Sequence, residues 1–133
     1  MTAVEAAEAL KALDATLRNI EVVLDLGTMR KERQDLERDA SVPNLWDDPA
    51  GAQVITSRLS YVQGEISKLE RLRARLDDAV VLLELAEAES DADSLVEVDS
   101  EIVALRKSID ELEIRTLLSG EYDAREALVT IRA

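Results

Sequence analysis

Apolar residues recur three and four positions apart over two long segments of this chain. In the first segment they are Ile55, Leu59, Val62, Ile66, Leu69, Leu76, Val80 and Leu83. The pattern restarts after Ser90 with Leu95, Val98, Ile102, Leu105, Ile109 and Leu112. This spacing is the heptad register of coiled-coil helices. It predicts two long helices, each with a narrow apolar stripe that a partner helix can cover.

A short polar segment, residues 90–94, separates the two helices and predicts a turn between them. Two heptad helices joined in this way are expected to pair as a long antiparallel, coiled-coil-like hairpin. A turn centred near Ser90 sets the register of the expected facing pairs. These pairs are Leu83 with Val98, Leu76 with Leu105, and Leu69 with Leu112.

Arg73 occupies a position in the first stripe where an apolar residue is due. We expect its stem to cover Ile109 while its guanidinium reaches Asp110 or Glu113. An Arg73→Leu substitution is then predicted to be neutral or stabilising.

The sequence Trp46-Asp47-Asp48-Pro49 predicts the start of the first long helix. The Asp48 carboxylate can cap first-turn amides, and Pro49 suits the first helical position. Capping explains the paired carboxylates better than acid–base chemistry or metal binding. Trp46 is expected to seal the preceding loop against the bundle. The helix should run to about Glu89.

Two shorter helices are predicted before this point. Thr2 and Glu5 fit a capping box, and one face of the helix that follows is apolar. Gly27 is the expected end of this helix, and Thr28 the cap of a second helix over about residues 28–40. We expect this helix pair to pack at the base of the hairpin.

The tail of the chain changes character after Gly120, the predicted end of the last helix. Residues 128–131 are Leu-Val-Thr-Ile, a short run typical of a β-strand. A lone strand is unstable without a sheet. The predicted fold is therefore all-α over residues 1–120, the N-terminal helical domain. Residues 121–133 are predicted to be a linker and one orphan strand of a second domain.

The composition narrows the classes of function. The 133 residues include no Cys and no His, which removes disulfides and the commonest metal ligand and general base. We predict no catalytic residue, no cofactor and no metal. The net charge of −13 disfavours nucleic-acid binding. No signal peptide or membrane-spanning segment is visible, so we expect a cytoplasmic protein without membrane contact.

An acidic block lies between Arg75 and Arg106, where the sequence has ten acidic residues and no basic one. One interpretation is a solvated surface. The other is a docking surface for a basic patch on a partner protein, since charge raises the rate of association. The candidate contact residues are Glu87, Asp91 and Asp93 at the predicted tip.

Three stretches resemble bacterial peptide chain release factors of the second type. One is Asn-Leu-Trp-Asp-Asp-Pro at residues 44–49, opening a long helix, and another is Leu-Leu-Glu-Leu at residues 82–85, before an acidic turn. The third is Leu-Glu-Ile-Arg-Thr-Leu-Leu-Ser-Gly-Glu-Tyr-Asp at residues 112–123. In that family Ser-Gly-Glu-Tyr-Asp joins the N-terminal helical domain to the codon-reading core.

The resemblance implies a role in translation termination at UAA or UGA codons. The family reads the codon with Ser-Pro-Phe and positions the hydrolytic water with Gly-Gly-Gln, and neither tripeptide occurs in this sequence. The implied role is positioning and protein contact near the large-subunit stalk base of the ribosome. The release-factor GTPase is a second implied partner.

A second interpretation of the function is open, because heptad helices that pair within one chain have the same spacing as those that pair between chains. The chain could be a self-associating coiled coil or an adaptor with no ribosomal role. Dimerisation of the isolated chain is compatible with either interpretation.

Overall fold

The protein is all-helical. The computed structural model describes the backbone of residues 2–132 and the side chains of residues 2–118. The helices are α1 (Ala3–Leu24), α2 (Leu26–Ala40), α3 (Pro49–Glu89) and α4 (Ala92–Arg132), with a 3-10 turn at Leu45–Asp47. No strand occurs over residues 2–132. The predicted all-α class and the predicted bounds of α3 are confirmed.

The chain divides into two compact units, and the boundary falls within α3. Residues 1–23 and 72–133 form the first, which has twenty acidic and nine basic residues and a net charge of −11. We call it the acidic unit. Residues 24–71 form the second, with nine acidic and seven basic residues and a net charge of −2. We call it the mixed-charge unit.

The core of the acidic unit is aliphatic and is contributed by three helices. Its buried apolar residues are Ala6, Leu10, Leu13, Leu17 and Ile20 of α1, Leu72, Leu76, Ala79, Leu83 and Ala86 of α3, and Val98, Ile102, Leu105, Ile109 and Leu112 of α4. The predicted stripe of α4 is therefore buried from Val98 onward. Both members of the predicted pairs Leu83–Val98 and Leu76–Leu105 are in this core. The third predicted pair, Leu69 with Leu112, stays a prediction.

The stripe of α3 differs from the predicted one in the acidic unit. Leu72 and Ala79 are buried, whereas the predicted position Val80 is 37% exposed and Arg73 is only partly buried. The reason is that this part of α3 contacts both α1 and α4. A helix with two neighbours buries a wider face than the narrow stripe of a two-helix coiled coil.

Helix α1 contacts the last turns of α3. Leu10 and Asp14 line one groove together with Leu76 and Leu83. The predicted location of α1 at the base of a hairpin is therefore wrong, because α1 lies toward the turn that follows α3. The capping box at its start is confirmed, since the Thr2 hydroxyl accepts from the amide of Glu5 at 3.1 Å.

The break between α1 and α2 is a single residue, Asp25, in the left-handed region with φ 56°. Its carboxylate accepts from the amide of Thr28 at 3.2 Å and from the Thr28 hydroxyl at 2.7 Å. The hydrogen bond from the Thr28 side chain lowers the pKa of Asp25. The predicted helix end at Gly27 is wrong, because an aspartate can adopt the left-handed conformation and cap the next helix.

The mixed-charge unit has a small core. Its buried residues are Ala52, Val62, Ile66 and Leu69, all on α3, and α2 has none. Ion pairs join the two helices. Arg58 Nε lies 2.8 Å from Glu32 Oε2, and Arg30 Nη2 lies 3.5 Å from Glu70 Oε2. Such exposed pairs contribute little to stability.

The start of α3 confirms one prediction and corrects another. Asp48 Oδ1 accepts from the amide of Gly51 at 3.2 Å, and α3 begins at Pro49 as predicted. Trp46 does not seal the loop, because its side chain is 62% exposed. The 3-10 turn that carries Trp46 contributes no buried residue for the indole to cover.

The structure predicted for the tail of the chain is also wrong. Helix α4 continues through Gly120 to Arg132, so neither the helix end at Gly120 nor the strand over residues 128–131 is found. A helix satisfies its backbone hydrogen bonds internally, whereas a strand needs a partner strand. A single helical glycine costs only about 1 kcal/mol relative to alanine. Ala133 and the side chains after Leu118 lie outside the described residues, and the domain boundary at 120 stays a prediction.

Candidate partner-contact surface

The turn between α3 and α4 is two residues long, shorter than the predicted turn. Ser90 has φ 52°, the left-handed position that glycine usually takes after a helix. The amide of Asp91 donates to the carbonyl of Ala86 at 2.9 Å, which closes the last turn of α3. The left-handed backbone of Ser90 and this hydrogen bond end α3 two residues before α4 begins.

Asp91, one of the three predicted contact residues, caps α4. Its Oδ1 accepts from the amides of Asp93 at 3.1 Å and Ser94 at 3.3 Å, and its Oδ2 accepts from the Ser94 hydroxyl at 2.8 Å. The hydrogen bond from the Ser94 side chain is the main reason why the pKa of Asp91 is lowered. This carboxylate therefore has a structural role before any contact with a partner is considered.

The other two candidates are on different helices. Asp93 is exposed in the first turn of α4, where its charge is favourable beside the positive end of the helix dipole. Glu87 is exposed near the end of α3 and lines a groove between α3 and α1. Glu87 therefore combines negative charge with an adjacent apolar surface.

This groove has a volume of about 280 Å³. Its apolar lining includes Leu10 of α1 and Leu76, Val80 and Leu83 of α3. Its polar lining is Lys11 and Asp14 of α1 with Asp77, Glu84 and Glu87 of α3. Helix α1 thus brings a basic residue to the side of α3 that the local sequence leaves entirely acidic.

Arg73 is the electrostatic centre of the α1–α3 contact. Its Nη1 donates to Asp14 Oδ1, and its Nη2 donates to Glu21 Oε1 at 2.7 Å. The three side chains are only 21–31% exposed. The prediction that Arg73 is not buried alone is confirmed. The predicted partners Asp110 and Glu113 are wrong, because Arg73 reaches α1 rather than α4.

The pKa of Asp14 reflects this arrangement. Burial raises it, but hydrogen bonding and the positive charge of Arg73, with a further contribution from Arg18, outweigh burial and lower it. Arg18 Nε lies 2.8 Å from Asp14 Oδ2. Asp14 therefore holds its negative charge and its ion pairs at any pH well above its lowered pKa.

A second ion pair joins α3 to α4. Arg75 Nε donates to Glu101 Oε1 at 2.8 Å. Arg75, Ala79 and Leu82 line a shallow groove together with Glu97 and Glu101 of α4. The acidic unit therefore presents a groove on each side of α3, one toward α1 and one toward α4.

The sequence interpretation did not identify Lys11, Asp14 and Glu21 as members of this surface. A signal for two of them is present. Asp14 and Glu21 are seven residues apart, two turns of helix, so they lie on the same face. An arginine in the apolar stripe of another helix needs carboxylates at such a spacing. What local spacing cannot indicate is which helix carries them.

Among the residues whose side chains are described, no three acidic residues lie close enough together to hold a metal ion. In the same part of the chain, none of the helices is long and apolar enough to span a bilayer.

The family model and the individual relatives that match this chain indicate the same family. Residues 29–133 match the PCRF domain model. The chain is 65% identical over all 133 residues to peptide chain release factor 2 of Salinispora tropica, and 54% identical over 133 residues to that of Streptomyces avermitilis. It is 56% identical over 126 residues, 93% of its length, to that of Mycobacterium avium.

The match covers only part of each relative. The chain spans 36% of the Salinispora tropica and Streptomyces avermitilis proteins and 34% of the Mycobacterium avium protein. The PCRF model itself covers most of this chain, including all of α3 and the turn that follows it. The chain therefore belongs to the PCRF domain family found in bacterial peptide chain release factors.

Proposed function

We propose that this chain is the N-terminal helical domain of a translation termination factor and that it positions the factor through protein contacts. The observation that carries the proposal is the match of the entire chain, at 65% identity, to about a third of a protein named peptide chain release factor 2. The proposal assigns codon reading and peptide release to the remainder of such a factor. Consistent with this, the sequence contains neither Ser-Pro-Phe nor Gly-Gly-Gln.

The proposed partners are the ribosome, through protein near the large-subunit stalk base, and the release-factor GTPase. The charge of the acidic unit, net −11, supports contact with a basic protein surface rather than with RNA phosphates. The proposed location is the cytoplasm, where translation takes place. We also propose that α3 and α4 pair as an antiparallel hairpin, which the two-residue turn and the Arg75–Glu101 ion pair support.

The isolated chain provides the first test. We expect it neither to release peptide from programmed ribosomes nor to distinguish stop codons, while a full-length factor containing it does both. Peptide release by the isolated chain at rates near those of the full factor would contradict the proposed division of roles.

The acidic tip provides the second test. Neutralising Glu87, Asp91 and Asp93 to Gln or Asn in the full-length factor should slow its association with ribosomes and weaken the salt dependence of that rate. Asparagine at position 91 can still cap α4. The matched control neutralises Glu37, Asp39 and Asp47, which are exposed acidic residues of the mixed-charge unit. Equal effects of both triple variants would assign the effect to net charge alone.

The isolated chain is also proposed to self-associate weakly. Ile114, Leu117 and Leu118 are spaced three and four residues apart on α4 and are 55–58% exposed. An apolar stripe of this kind can pair with a second copy of itself. Sedimentation equilibrium should show a weak dimer that a Leu117→Lys substitution disrupts, and a monomer at high concentration would contradict this.

A further inference from the structure

We propose that the groove between α1 and α3 binds an amphipathic helix of a partner protein. One aliphatic side chain of that helix enters the groove, and basic side chains on either side of it contact the carboxylates at the rim. The inference rests on the proposed function, because it names the chemistry of a partner that the acidic unit meets during termination. It differs from a purely electrostatic contact, since it requires an apolar anchor as well as positive charge.

The floor and one wall of the groove are apolar, which suits an aliphatic side chain. The groove has a volume of about 280 Å³, close to the lower end of the range of roughly 300–1,000 Å³ for small-molecule sites. Leu10, Leu76 and Leu83 are at most 4% exposed and belong to the core beneath it. Val80 is 37% exposed on the same wall and offers apolar surface to a ligand.

The rim of the groove fixes the charge of the partner. Four carboxylates line it, from Asp14, Asp77, Glu84 and Glu87, against the single ammonium of Lys11. Asp14 is already paired with Arg73 and Arg18. Glu84 and Glu87 are exposed and lie nearly one helical turn apart, the spacing at which they can receive two basic residues of one helix.

The same features set the expected geometry of the ligand. Recognition of a helix in an apolar groove uses anchors at positions i, i+3, i+4 and i+7. In the proposed complex one branched aliphatic side chain enters the groove, with lysine or arginine one turn to either side. Basic residues at those positions would face Glu84 and Glu87 while the aliphatic side chain contacts Val80.

The test uses the whole chain and two fluorescently labelled synthetic helical peptides, without ribosomes. One peptide has leucine on one face and lysine on the other, and the second has serine in place of each leucine at the same net charge. Anisotropy should show that the lysine–leucine peptide binds at least roughly tenfold more tightly, because burial of the apolar anchor is lost in the serine peptide.

Matched substitutions locate the binding site. Val80→Ala should weaken binding of the lysine–leucine peptide by roughly three- to tenfold. Val81→Ala, on the adjacent exposed valine that does not line the groove, should change it less than about twofold. Glu84→Gln with Glu87→Gln should weaken binding more than Glu89→Gln with Asp93→Asn, which removes the same charge outside the groove. Circular dichroism melts confirm that each variant is folded.

Each outcome decides the proposal. Equal binding of the two peptides, or equal effects of the two valine substitutions, would overturn it in favour of non-specific attraction to an acidic protein. In the full-length factor Val80→Ala should also slow ribosome association while Val81→Ala does not. Peptide binding in the groove without that effect would overturn the assignment of the partner to termination. A factor that never binds ribosomes would instead contradict the proposed function, whatever the peptides do.

Discussion

The acidic unit and the mixed-charge unit share one long helix, yet they are stabilised differently. Among the described side chains of the acidic unit, three helices bury fifteen apolar residues, and Arg73 joins two carboxylates of α1 at partly buried positions. In the mixed-charge unit four apolar residues of α3 are buried, α2 buries none, and the ion pairs between the helices are exposed. Similar heptad spacing along α3 therefore leads to a dense core in one unit and a thin one in the other.

In the acidic unit α3 contacts two helices, α1 through Arg73 and α4 through Arg75. A helix that contacts one partner buries a narrow stripe, and one that contacts two buries a wide face. Because hydrophobic burial dominates stability and exposed ion pairs add little, we expect the acidic unit to resist local opening more than the mixed-charge unit.

The largest expected effect is in the core of the acidic unit. Leu105→Ala removes a side chain that is 0% exposed and should lower the free energy of unfolding by roughly 2–5 kcal/mol. Urea unfolding followed by circular dichroism measures it. Val103→Ala on the same helix, where the valine is 64% exposed, is the control and should change stability by less than about 0.5 kcal/mol. Equal losses would show that α4 is not packed as described.

The next effect concerns Arg73. Because two carboxylates of α1 converge on it, Arg73→Leu or Arg73→Met should now be destabilising, by roughly 1–3 kcal/mol after discounting for partial exposure. The sequence alone predicted that Arg73→Leu is neutral or stabilising, because loss of the guanidinium was expected to cost little electrostatic energy. A double-mutant cycle with Asp14→Asn isolates the pairwise energy. A leucine variant as stable as the parent would restore the earlier expectation.

The ion pair between Asp14 and Arg73 should also make the stability of the acidic unit depend on pH. The folded-state pKa of Asp14 is lowered, so its stabilising contribution is present above its unfolded pKa of about 3.9 and is lost as the pH falls through the lower, folded value. Asp14→Asn should therefore cost stability at pH 7, but less than Arg73→Met, since Glu21 still pairs with Arg73. The difference between parent and variant should disappear in acid. A difference that is constant from pH 7 to pH 2 would contradict the role of this carboxylate.

Much of the fold could be predicted because many determinants are local. Heptad spacing predicted the buried residues Val98 to Leu112, and cap chemistry predicted the roles of Thr2, Glu5 and Asp48. These predictions depend on residues within one or two turns of each other.

The failures have tertiary causes. Arg73 was assigned to α4 because the sequence does not indicate that α1 lies beside the end of α3. Gly27 and Gly120 were interpreted as helix ends from residue type alone, whereas Asp25 makes the first break and α4 continues past the second. The groove at Glu87 could not be predicted, because its two walls are more than sixty residues apart in the sequence.

The smallest predicted effect is a stabilisation of the mixed-charge unit. A Cβ atom added at Gly64 would contact nothing within 4 Å. Gly64 is exposed within α3, where glycine costs conformational entropy, so Gly64→Ala should raise the free energy of unfolding by roughly 0.5–1 kcal/mol.

Gly51 offers the matched control on the same helix. A Cβ atom at position 51 would overlap the Asp48 carboxylate, which caps α3 by accepting from the Gly51 amide. Gly51→Ala should therefore gain less than Gly64→Ala or lose stability, because the gain in helix propensity is offset by displacement of the cap. Hydrogen exchange of the first-turn amides of α3 measures that displacement directly. If Gly64→Ala destabilised the chain and Gly51→Ala did not, the description of position 64 as open surface would be wrong.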